Sequence, residues 1–177
     1  MIAITLPDGS VRKYENELTV LDVAKDISEG LARNVLSARF NDTIVEASTT
    51  LNTSGDLKLF TWNDDEGKAA FWHSSAHILA QSILALYPKA KLTIGPSIEN
   101  GFYYDVDFGD LSFSENDLKG LEDQFLIFAR QKFEFKMRSC SKADALTFYK
   151  EENNPFKVEL IENLEDGTIT FCDHADF

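Results

Sequence analysis

Ile2-Ala3-Ile4-Thr5-Leu6-Pro7-Asp8-Gly9-Ser10-Val11-Arg12-Lys13-Tyr14 opens the chain with two extended runs on either side of a turn. Ile2, Ile4 and Leu6 alternate with polar or small residues, which places them on one face of a strand. Pro7, Asp8 and Gly9 supply the fixed φ, the local hydrogen bonding and the conformational freedom of a tight connection, so Val11 to Tyr14 reads as the return strand of a hairpin.

Outward from that hairpin, Thr19 reads as an N-cap for a helix in which Val20, Val23, Ala24 and Ile27 recur at helical spacing. Short strand-type runs follow at Val35 to Phe40, Thr43 to Ala47 and Leu57 to Trp62, the last after Ser54-Gly55-Asp56. Two strands, a helix and further short strands within 62 residues predict a small β-grasp, ubiquitin-like module. Asn63-Asp64-Asp65-Glu66-Gly67 is polar and acidic and reads as the boundary, giving expected domains of residues 1–62 and 63–177.

The second segment begins with an expected helix from about Lys68 to Tyr87, stopped by Pro88. Its stripe Trp72, Ala76, Leu79, Ile83 and Leu86 predicts packing on one side. A strand and turn over Lys91 to Pro96 come next, then the glycine-aromatic run Glu99-Asn100-Gly101-Phe102-Tyr103-Tyr104-Asp105. Helices are expected from Ser114 or Asp117 to about Lys132 and over Ser141 to Lys150, and strands over Phe133 to Arg138, Lys157 to Ile161 and Thr168 to Cys172. Helices and strands without regular βαβ spacing predict an α+β domain with an antiparallel or mixed sheet.

The chain has 177 residues, with 17 Lys+Arg against 30 Asp+Glu, a formal charge of −13. Residues 1–62 carry 6 basic and 9 acidic side chains, so most of the excess lies in the second segment. Generic attraction to phosphate backbones or anionic membranes is thereby excluded, and any nucleic-acid contact must be local, with Lys89, Lys91, Lys132, Lys136 and Arg138 as candidates. No apolar run approaches the roughly 18 residues of a membrane span, and a soluble, cytoplasmic protein without membrane partners is expected. Cys140 and Cys172 stand far apart and predict neither a disulfide framework nor a thiolate zinc site.

Two of three histidines stand in His73-Ser74-Ser75-Ala76-His77. The i, i+4 spacing puts both imidazoles on one helical face, at the edge of the apolar stripe, able to grip one water or one metal. Ser74 replaces the glutamate that a zinc protease uses as its base, which removes that reading. Strand alternation at Pro155 to Leu160 would put Lys157 with Glu159 opposite Val158 and Leu160, an ordinary solvated lysine. His174 reads as an exposed strand end. No P-loop, nucleophile elbow or dinucleotide-binding glycine pattern is present.

Leu6-Pro7-Asp8-Gly9, Asp22-Val23-Ala24 and Phe40-Asn41-Asp42 resemble a TGS domain. Behind it, His73-Ser74-Ser75-Ala76-His77-Ile78-Leu79-Ala80-Gln81, Ile94-Gly95-Pro96-Ser97-Ile98-Glu99-Asn100-Gly101-Phe102-Tyr103-Tyr104-Asp105 and Pro155-Phe156-Lys157-Val158-Glu159-Leu160 resemble, in that order, the N-terminal region of the bacterial threonyl-tRNA synthetase family. The resemblance covers the whole chain. It implies that residues 63–177 belong to an editing domain that hydrolyses serine from tRNA(Thr). His73, His77 and Lys157 would be its catalytic residues, and Tyr104 would shape the substrate pocket. The family pattern continues past the segment resembling Cys172 to Phe177 into Asp-x-Cys-x-x-x-His. The resemblance therefore implies a fragment that does not ligate threonine and whose own deacylase activity is weak or absent. ATP, Mg and Zn are expected only for the family's catalytic domain, no cofactor or metal for this chain, tRNA(Thr) as partner and a homodimer for the full-length enzyme. A different reading is a non-catalytic regulatory module that binds RNA or a nucleotide.

Overall fold

The computed structural model describes residues 1–167 and 169–174. The chain divides into two compact units, Met1–Trp72 and His73–Phe177.

In the first unit, β1 (Ile2–Thr5) and β2 (Val11–Tyr14) form the expected antiparallel hairpin, in register from Ile2 opposite Tyr14 to Thr5 opposite Val11. Gly9 takes φ +82° at its turn, where a side chain would be strained. β3 (Leu18–Thr19) leads into α1 (Val20–Ile27). Thr19 accepts from the Asp22 amide and Asp22 accepts from the Thr19 amide, a reciprocal capping box that fixes where the helix starts. A short helix α2 (Glu29–Ala32) is followed by β4 (Ser37–Phe40), β5 (Thr43–Glu46), β6 (Thr50–Leu51) and β7 (Gly55–Phe60). The sheet order is β2-β1-β7-β4-β5, with β1 and β7 parallel, while β3 and β6 pair separately. Its core joins Ile2, Ile4, Val20, Val23, Ala38, Leu51 and Leu57. This is the β-grasp that the hairpin and α1 spacing predict.

α3 runs Asp65–Leu86 and starts earlier than expected. Asp65 and Glu66 lie in its first turn, where carboxylates complement the positive end of the helix. Glu66 also accepts from Arg39 at 2.7 Å. Gly67 has the Thr61 carbonyl so close that a Cβ would stand 2.0 Å from its oxygen. Asp65 to Gly67 are thus helix rather than linker.

In the second unit the rest of α3 is followed by β8 (Lys91–Leu92), β9 (Ser97–Ile98), β10 (Gly101–Phe102) and β11 (Val106–Asp107). A 3-10 turn (Glu115–Asp117), α4 (Leu118–Gln131), β12 (Phe135–Ser139), α5 (Lys142–Glu151), α6 (Pro155–Glu162) and β13 (Thr170–His174) complete it. Its described strands pair antiparallel, as three two-stranded ladders rather than one sheet: β8 with β11, β9 with β10, β12 with β13. The early strands are two residues long.

Two expectations change here. Ala80, Gln81, Ser82 and Ile83 are consecutive and all buried, so at 100° per residue α3 is covered on nearly every side at this point rather than on one, while Leu86 of the expected stripe is 41% exposed. The Lys157 to Ile161 run is not a strand but part of α6. Asn154 caps that helix by accepting from the Lys157 amide at 3.1 Å, and Pro155 follows in the first helical position, where its missing N–H costs nothing. Asn154 also donates to the Leu92 carbonyl at 2.9 Å, tying the start of α6 to β8. Of the expected strand Thr168 to Cys172, Thr168 lies outside the described residues, as do residues 175–177.

Candidate functional site

His73 and His77 stand one turn apart on α3, and the structure brings them together: their Nε2 atoms are 3.1 Å apart and the rings meet edge to face at 4.7 Å between centroids. At that distance one Nε2–H donates to the other Nε2. A neutral pair then offers one Nδ1 acceptor and one Nδ1–H donor to a third party. Burial pushes both imidazoles below their ordinary range. His77 comes down to about 4, first by burial and then by the nearness of His73, Lys157 and His174. At neutral pH both rings are bases rather than cations.

Lys157 reaches this site because α6 is a helix. Helical periodicity aligns it with buried Ile161 rather than with exposed Glu159, so its stem is half-buried and its ammonium stands 6.0 Å from the centre of the Tyr149 ring. Burial lowers its pKa. This replaces the solvated lysine that strand alternation implies. Tyr104 connects less directly. Its phenol is pushed up to about 12, chiefly by burial and then by Tyr149, so the link to Lys157 runs through that second tyrosine. Gly95 lies under the Tyr104 ring, where a Cβ would come within 2.3 Å of Cδ2. Gly95, between Ile94 and Pro96, therefore holds Tyr104 by close approach.

His174 corrects a further expectation. It is 2% exposed, not a solvated strand end, and donates Nδ1–H to Gln81 Oε1 at 2.9 Å. In the β12–β13 ladder it stands opposite Phe135, and the two rings stack at 4.3 Å and 19°. The Phe135 ring centre lies 6.1 Å from that of His77. Sequence reading missed His174, Gln81, Phe135 and Tyr149. For Gln81 a signal existed, since 73, 77 and 81 continue one i+4 row on α3. His174 carried none, because its burial comes from a cross-strand partner 39 positions away. Among the described residues no group of three or more His, Cys, Asp or Glu converges as a metal site, and no helix is long and apolar enough to cross a membrane. Of the basic candidates, Arg138 is engaged by Asp173 at 2.9 Å and by the Phe171 ring.

A family model described as TGS domain matches residues 2–61. The threonine–tRNA ligase of Flavobacterium psychrophilum is 60% identical over 177 residues, covering 100% of this chain and 27% of that protein. That of Flavobacterium johnsoniae is 61% identical with the same coverage. That of Clostridioides difficile is 47% identical over 178 residues, covering 100% of this chain and 28% of the relative. The chain spans about a quarter of the length of the curated relatives it matches, and it corresponds to their N-terminal part.

Proposed function

We propose that this chain, matching the N-terminal region of threonine–tRNA ligases along its entire length, carries in residues 63–177 the hydrolytic site that removes serine from tRNA(Thr). The observation behind this reading is the convergence of a neutral imidazole pair with a half-buried lysine in the second unit. Serine differs from threonine by one methyl, and a pocket separates two such substrates by only about 1–3 kcal/mol, so a ligase needs a second, destructive step.

The chemistry follows from the donor set. A water oxygen attacks the acyl carbon of the seryl ester, and the imidazole pair takes the proton. Lys157 faces the developing oxyanion, and the imidazolium returns the proton to the departing ribose oxygen, releasing serine and tRNA. Tyr104, fixed by Gly95, forms a pocket wall. ATP, Mg and Zn are assigned in this reading to ligase chemistry beyond the matched region, and tRNA(Thr) is the partner of the whole enzyme.

The test uses a full-length ligase carrying this chain, supplied with Ser-tRNA(Thr) and Thr-tRNA(Thr). His73→Ala and Lys157→Ala should each slow seryl release by about 10²-fold or more, the scale of a lost proton-transfer or positioning group. The threonyl ester should be spared throughout. Unchanged seryl release in both variants, with folding intact, would instead favour a non-catalytic RNA-binding role.

A further inference from the structure

His174 takes no part in the proton transfers above, yet it is among the most buried polar side chains of the chain. Three contacts hold it. Its Nδ1–H donates to Gln81 Oε1, which lies one turn beyond His77 on the same row of α3. Its ring stacks on Phe135, and the Phe133 ring meets it edge-on at 6.0 Å. Phe135 in turn lies tilted at 45° against His77. Gln81 is itself 8% exposed, so losing its partner would leave a buried amide oxygen unsatisfied.

We infer that His174 is a positioning residue for the imidazole pair: anchored by Gln81, its ring carries Phe135 as the wall that holds His77 in place. The hydrogen bond fixes the neutral tautomer with the proton on Nδ1, and the flat stack converts that fixed ring plane into a fixed Phe135. Its consequence for catalysis rests on the hydrolytic reading, but the geometry stands apart from it.

Two sets of measurements separate these. The first uses the 177-residue chain and no substrate. Imidazole 15N spectra of the wild type should show His174 protonated at Nδ1, and protonation at Nε2 instead would overturn the inference. The groups facing His77 are His73 from α3, Lys157 from α6 and His174 from β13, with β12 adding the uncharged Phe135 ring. In His174→Ala the His77 midpoint should climb from about 4 toward 6.5 as water reaches the ring. In His174→Phe, which keeps a ring against Phe135, it should stay nearer the wild-type value. A His77 midpoint unchanged in His174→Ala, or equal in the Ala and Phe variants, would overturn the wall. Where His174→Ala does not fold, Gln81→Leu substitutes, with the expected outcome that His174 loses its Nδ1–H preference; a retained preference refutes the anchor.

The second set uses the full-length ligase. His174→Ala should lower kcat for seryl release by about 10-fold to 100-fold, the scale of a misplaced catalytic group, with KM little changed and with partial rescue in His174→Phe. Wild-type rates in His174→Ala beside a crippled His73→Ala overturn the positioning role alone. Wild-type rates in His73→Ala overturn the hydrolytic reading alone, and the 15N spectra still decide the geometry.

Discussion

Replacing His77 with glutamine should make the second unit more resistant to acid. Burial, with His73, Lys157 and His174 adding like charge, brings this imidazole down to about 4, against an ordinary 6.5. The unfolded chain therefore takes up the proton near 6.5 and the folded chain only near 4. With a depressed folded value, the stability tied to this ring is whole above about pH 6.5 and is lost as pH falls toward 4, at up to about 1.4 kcal/mol per pH unit. Between pH 7 and pH 5 this integrates to about 2 kcal/mol at most, and to about 1 kcal/mol once the ring's remaining contact with water is allowed for. Glutamine retains a polar group of similar length but does not titrate. Urea unfolding followed through the amide signals of Ala80 and Ile83, both in the second unit, should show the wild-type midpoint dropping between pH 7 and pH 5 by about 0.5–1 M more than that of His77→Gln. Equal drops in the two proteins would mean that the folded imidazole titrates like a free one, and the burial argument for a neutral base at the site would fail.

Gly95→Ala should force the Tyr104 ring aside and destabilise the second unit by about 1–3 kcal/mol, the usual cost of overpacking; an unshifted Tyr104 ring spectrum would refute the close approach. In the first unit Phe60→Ala should cost about 3–5 kcal/mol, because that ring is fully buried, and a loss under 1 kcal/mol by denaturant titration would contradict its place in the core. Thr19→Ala should cost about 1 kcal/mol through the lost capping box, read from the same titration. Residues 1–72 should fold alone with a higher melting temperature than residues 1–62. The longer piece retains the edge-to-face cluster of Trp62, Phe71 and Trp72 and the Gly67 contact with Thr61; equal melting would deny both a stabilising role.

What the sequence determined by itself was local. The Pro7-Asp8-Gly9 turn, the Thr19 cap and the helical row of His73 and His77 each depend on residues within four or five positions of one another, so propensity and spacing suffice to read them. The same row extends to Gln81, and the spacing alone would have justified including it. Lys157 shows where this stops. Val158, Leu160 and their polar neighbours fit a strand as readily as a helix, and the decision fell to Asn154, whose side chain caps α6 while bonded to Leu92, 62 positions earlier. The first turn of α3 shows it again, since the carboxylates that read as a linker become helix once Gly67 can approach Thr61. His174 was settled entirely by tertiary structure. A histidine at a strand end is exposed by default, and only the pairing of β12 with β13, which sets it on Phe135 and against Gln81, removes it from water. Burial and pKa at such a site are properties of partners distant in the chain, and a sequence pattern of short period does not contain them.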